Sequence, residues 1–167
     1  MTRQRALQAA AAPVRPAERA LAGVSASAGQ PLDRATRAEM EPLFGHDFGR
    51  VRVHTHAAAA GAAQAIGARA YTVGHHVAFG AMRHDPASAA GRRLLAHELA
   101  HVVQQSGAAA PGPDGRLRTA GAAEERAAEQ AAGRVAAGRR APAPQPVATP
   151  ALACFSDDNH HVIEEAA

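Results

Sequence analysis

The segment Leu94-Leu95-Ala96-His97-Glu98-Leu99-Ala100-His101-Val102-Val103-Gln104-Gln105 constrains this chain more than any other stretch. It sets H-E-x-x-H inside a run with helical periodicity. Residues four apart lie one turn above each other on a helix, so His97 and His101 can turn two imidazole nitrogens toward one metal ion. Glu98 projects about 100° further round, close enough to reach a water on that ion without being a ligand. Leu95, Leu99 and Val102 fall roughly opposite, where a core would take them. Two ligands, one general base and an anchored back form the arrangement used by zinc peptidases. Asp85-Pro86 or Ser88 suits the helix start, and Gly107 suits a left-handed stop. The same pattern also fits a buried helix with two polar histidines, or a metal held without catalysis.

A catalytic zinc ion, Zn2+, is usually held by three protein ligands and keeps one position open for water. The downstream glutamates Glu124, Glu125 and Glu129 are the candidates for the third. Neighbours on a helix point about 100° apart, so Glu124 and Glu125 cannot both face one ion. Glu125 and Glu129 share a face. This predicts Glu125 as ligand, with Glu129 one turn on as a carboxylate that orients a zinc-bound histidine. An ordinary solvated, charge-rich helix would carry the same residues.

The rest of the chain builds a frame around that helix. Asp33 can cap a helix over Arg34 to Leu43, and Phe44-Gly45-His46-Asp47-Phe48 reads as a compact turn between two aromatic anchors. In that turn His46-Asp47 is either a ligand pair or a turn residue beside a capping acid. Val51-Arg52-Val53-His54-Thr55 alternates like a strand. His54 and His56 then lead into an Ala-rich helix, Ala57 to Ile66, closed by Gly67; both fit structural roles, substrate contact or a peripheral metal. Ala70 to Gly80 predicts a hairpin pivoting at Gly74-His75, with one of His75 and His76 facing in and one out. A second helix is predicted over Ala122 to Val135. The domain is expected over residues 30–137. Residues 1–29, poor in large apolar side chains, are expected to be disordered. Residues 138–153 read as a Pro/Ala linker, and 154–167 as the start of a further segment or truncated domain, with a helix beginning near His160.

Composition narrows the function classes. Alanine supplies most of the apolar content, so the core must be small and confined to the middle of the chain. The net charge is +3 and every basic residue is Arg, scattered and without interleaved aromatics. No nucleic-acid footprint is present. The one cysteine, Cys154, excludes an intrachain disulfide and has no ordered partner that would make it a nucleophile. No run of about 18 apolar residues predicts a membrane span. Residues after Arg3 and Arg5 lack the apolar core of a signal peptide, so synthesis in the cytoplasm without conventional secretion is expected.

With those residues laid out, the chain resembles the metallopeptidase-like domain associated with extracellular contractile injection systems. The resemblance covers about 31–107. It is carried by Arg37, Glu41-Pro42, Phe44 to Phe48, Val51 to Thr55, Gly67 to Gly74, Phe79-Gly80 and Gly91 to Gln105. It implies an α+β, zincin-like fold with the active-site helix beside a small sheet, and His97 and His101 as zinc ligands with Glu98 as base. The downstream pair Glu125 and Glu129 is similar to the glutamate-zincin pattern, in which the second position is usually Asp. The resemblance also implies a peptide or protein substrate, a contractile injection particle as partner, and export by that route. Two functions follow as rivals: a zinc peptidase, and a loading or docking module that keeps the metal helix for stability. In zincin-like folds an edge strand runs along the cleft. His76 to Gly80 is the expected counterpart here, either free to take an extended peptide or covered by residues 108–120 or 138–153 of the chain itself.

Overall fold

Asp33 opens the first helix, α1 (Arg34–Phe44), by accepting from Thr36 N and Thr36 Oγ1 at 3.0 and 2.6 Å. Gly45 closes it in the left-handed region, φ 63°. Glu41 Oε1 then takes Phe48 N at 3.0 Å and Arg37 Nε at 2.7 Å, which ties down the turn between the two edge-to-face phenylalanines. The computed structural model of the chain describes residues 23, 24, 26–108, 118–148 and 150–156. Its further elements are β1 (Gln30–Pro31), β2 (Arg52–His54), α2 (Ala57–Ala65), β3 (Ala70–Val73), β4 (His76–Phe79), α3 (Ala89–Gln105), β5 (Arg118–Thr119), α4 (Ala122–Ala136) and β6 (Ala151–Phe155).

The strands form one mixed sheet in the order β1-β2-β4-β3-β6-β5. Strands β2 and β4 are parallel, with α2 and β3 in the crossover between them. The hairpin β3–β4 turns at Gly74, whose φ of 58° suits glycine. Side chains alternate across the sheet. Val53, Ala70, Val77 and Phe79 face the larger core, built with α1, α3 and α4 around Phe48, Leu95 and Leu99. Tyr71, Val73, Ala78 and Leu152 face the other way, onto Ala59, Ala62 and Ala63 of α2. The molecule is therefore α+β, with α3 lying on the sheet and α4 packed along α3. No helix among the described residues is long and apolar enough to cross a membrane.

Several expectations need correction. Ser88 caps α3, accepting from Gly91 N at 3.0 Å. The cap is tight: a Cβ on Gly91 would stand 1.8 Å from the Asp85 carbonyl oxygen. The helix ends at Ser106, and Gly107 is not left-handed, because an ordinary αR cap suffices there. The strand expected at the edge, His76 to Gly80, is interior: β4 pairs with β2 on one side and β3 on the other. The linker read over 138–153 gives way to β6, which begins at Ala151 and carries Cys154 and Phe155 into the sheet. Its alternation of small apolar residues is too weak a signal after a Pro-rich run. Ordered chain also starts before residue 30: Val24 is buried in the α2-side core and Ser27 contacts His54. The helix expected near His160 lies outside the described residues.

Candidate metal centre

Helix α3 presents His97 and His101 on one face, and α4 brings Glu125 against them. His101 Nε2 lies 3.1 Å from His97 Nε2. Glu125 Oε2 lies 3.3 Å from His97 Nε2 and 3.2 Å from His101 Nε2. Three ligands bound tetrahedrally to zinc at about 2.0–2.1 Å would stand about 3.3 Å apart. The triangle thus already has the size that one such ion requires. Among the described residues, this is the one group of three metal-ligating side chains close enough to share an ion. The charges fit as well. Burial opposes protonation of His97, yet pairing with Glu125 and Glu129 raises it to about 9. Burial likewise works against the Glu125 carboxylate, but His101 and His97 hold it down to about 2. These opposed shifts are those of an ion pair, in which each group favours the charged form of the other.

The two histidines have neighbours behind them. His101 Nδ1 bonds Gln104 Oε1 at 2.7 Å, and Gln104 Nε2 donates to the Glu124 carbonyl at 2.9 Å. That amide fixes Nδ1 as the protonated nitrogen and leaves Nε2 for a metal. Glu129 Oε2 lies 3.4 Å from His97 Nδ1, while Arg93 pairs with its other oxygen. Glu129, expected one turn beyond the ligand, stands there. Glu124 turns away to Arg118 and to Gly121 N, so α4 offers Glu125 alone to both histidines.

Glu98 is fully buried. Its Oε2 accepts from Thr72 Oγ1 of β3 at 2.6 Å, and its Oε1 is buried without a hydrogen-bond partner. Burial raises its pKa, against neighbouring His97 and His101 and the Thr72 bond, which lower it. A carboxylate with one oxygen fixed and one free is suited to accepting a proton from a water. The Phe155 ring closes one side of the centre, 4.8 Å from the His97 ring at 73°.

The other candidate histidines have structural partners. Asp47 accepts from Gly49 N at 2.7 Å and from Arg37, and His46 tilts onto Phe48. His56 Nδ1 caps α2 through Ala59 N. Buried His54 bridges Ser27 Oγ at 3.0 Å and His76 Nδ1 at 2.9 Å. Sequence reasoning missed Thr72, Gln104 and Phe155 as parts of the site. Gln104 was findable, since it sits three residues beyond His101 on the same helix face. Thr72 and Phe155 reach the site through strand pairing, which leaves no local signal.

Residues 31–109 match the family model of the eCIS core domain, just under half of the chain. This supports an association with contractile injection systems. The match holds α3 with His97, Glu98 and His101, and stops before α4 and β6. No curated protein and no solved structure matches the chain.

Proposed function

We propose that the domain is a zincin-like, zinc-dependent peptidase that works in the setting of a contractile injection system. The observation that carries this reading is the convergence of His97 Nε2, His101 Nε2 and Glu125 Oε2 within 3.1–3.3 Å, beside a buried Glu98. His97, His101 and Glu125 would hold the ion. Zinc bound there would polarise a peptide carbonyl and lower the pKa of a water toward about 7. Glu98 Oε1, the oxygen Thr72 leaves free, would accept a proton from water there and return it to the leaving amine. Gln104 and Glu129 hold the histidine rings in register. The substrate is a peptide or unfolded protein, and the injection particle is the partner and the route of export for a chain made in the cytoplasm.

A second reading is favoured by the family match, which carries the association but not α4 with Glu125. On that reading the domain is a loading or docking module and the ion stabilises the fold. Glu98→Gln separates the two. The variant is expected to keep its zinc and lose hydrolysis of an unfolded protein substrate. Loss of zinc in that variant would assign Glu98 the wrong role. Absence of hydrolysis in the zinc-loaded wild type would leave the docking module.

A further inference from the structure

Strand β3 carries Thr72, which holds Glu98, so its outer side is the sheet position nearest the proton acceptor. In the strand order β1-β2-β4-β3-β6-β5, β3 would be the edge if β6 were absent. An edge of this kind binds an extended peptide through its main chain. Here β6 fills it. It pairs antiparallel through Ala70↔Phe155, Tyr71↔Cys154 and Thr72↔Ala153. Pairs in register share a face. Ala153 and Phe155 therefore point toward α3, and Phe155 comes to rest on His97.

The far side of β6 pairs with the two residues of β5 and takes one further bond, from Ala120 N to the Leu152 carbonyl at 2.9 Å. The strand is reached through a run that contains Pro142, Pro144, Pro146 and Pro150, in which residues 139–148 form no regular element. That run is tied by Ala141 N to the Leu43 carbonyl at 2.9 Å and Val147 N to the Gln104 carbonyl at 2.8 Å. Ala151 N then donates to Gln105 Oε1, 3.3 Å away, which also takes Gly74 N at 2.8 Å. Apart from Leu152 and Phe155 the side chains of β6 are small.

We propose that the β3 edge is a binding site for an extended peptide strand, and that β6 is its intramolecular occupant. Residues 151–155 hold the place beside the metal centre that a substrate strand would take, and Phe155 shuts that side of the centre. Access requires β6 to leave. The proposal rests on the peptidase reading for what replaces β6, but strand exchange itself needs no chemistry.

Cys154 reports on the exchange. It is the chain's one cysteine, and it faces the α2-side core, away from the metal centre. It is half-buried while β6 is paired, so departure of the strand quickens its modification by raising the thiol's exposure. The experiment uses the full-length Glu98→Gln chain loaded with zinc. The rate of Cys154 modification by a soluble thiol reagent is measured against added synthetic peptide of residues 150–156, with Ser in place of Cys154. The expected result is a saturable rise of about tenfold or more, with no rise for a scrambled peptide and no fall in melting temperature, since the peptide binds a folded state. Modification that follows global unfolding alone, with the same denaturant dependence and no response to peptide, would overturn the proposal. Phe155→Ala gives a second reading. It should speed both Cys154 modification and zinc removal by a chelator at constant temperature below the transition. A change in melting temperature with neither rate altered would reduce Phe155 to packing. Parallel assays on the wild type keep the two claims apart. A peptide that displaces β6 and is never cut counts against the peptidase and supports strand exchange. Cutting without Cys154 exposure does the reverse.

Discussion

Gln104, bonded to His101 Nδ1, leaves Nε2 as the nitrogen for a metal without being a ligand itself. Gln104→Leu keeps the volume and loses the acceptor at 2.7 Å. Zinc affinity should fall by about 10–100-fold, the usual cost of removing such a partner. Gln104→Glu retains an acceptor and should recover most of the loss; competition with a chelating dye measures both. Unchanged affinity in the leucine variant would make the contact packing only. At this scale the cluster of His97, His101 and Glu125 was legible because helix spacing alone aligns His97 with His101 and, on the second helix, Glu125 with Glu129. Thr72 was not legible. Its contact with Glu98 crosses 26 positions of sequence and depends on how β3 lies on α3.

The strands show where local reading stops. The hairpin at Gly74 and the cap at Asp33 are short-range features, and the sequence signals for them hold. Which strand is the edge is a pairing question, and β4 proved interior because β2 reaches it through a parallel crossover. At the end of β2, His54 is packed against Ser27 and His76, with His56 beside it. Burial, then the neighbouring His76 and His56, holds it down to about 4. An unfolded chain protonates this residue near pH 6.5, so between 6.5 and 4 the unfolded state binds the extra proton. Stability from His54 is complete above about 6.5 and is lost as pH falls toward 4, by at most about 3 kcal/mol. His76 is also lowered, first by burial, and shifts stability the same way. Denaturant midpoints at pH 7.5 and 4.5 should therefore differ less in His54→Gln than in wild type. An equal drop in both would remove His54 from the cause. On α3, Leu95→Ala empties a fully buried site on the sheet side and should cost about 2–5 kcal/mol by denaturant unfolding. A smaller loss would mean that α3 is held chiefly by α4.

For the whole molecule, the alanine-rich composition leaves few large side chains, and they are shared between two cores on the two faces of the sheet that reach from Val24 to Phe155, so the core is not confined to the middle of the chain. What composition hides is the return of the chain after its Pro-rich run to complete the sheet as β6. The eCIS core domain match covers the frame and the two-histidine helix, while the third member of the centre comes from α4 beyond it. The centre therefore depends on two helices joined through residues 106–121, and on their packing. Zinc stoichiometry tests this most directly. Native mass spectrometry of the full chain titrated with Zn2+ is expected to show about one ion per chain. Occupancy should vanish in the His97→Ala/His101→Ala double variant and weaken strongly in Glu125→Ala, with Glu124→Ala unaffected. Full occupancy in the double variant would contradict the centre, and weakening by Glu124→Ala in place of Glu125→Ala would contradict its third ligand.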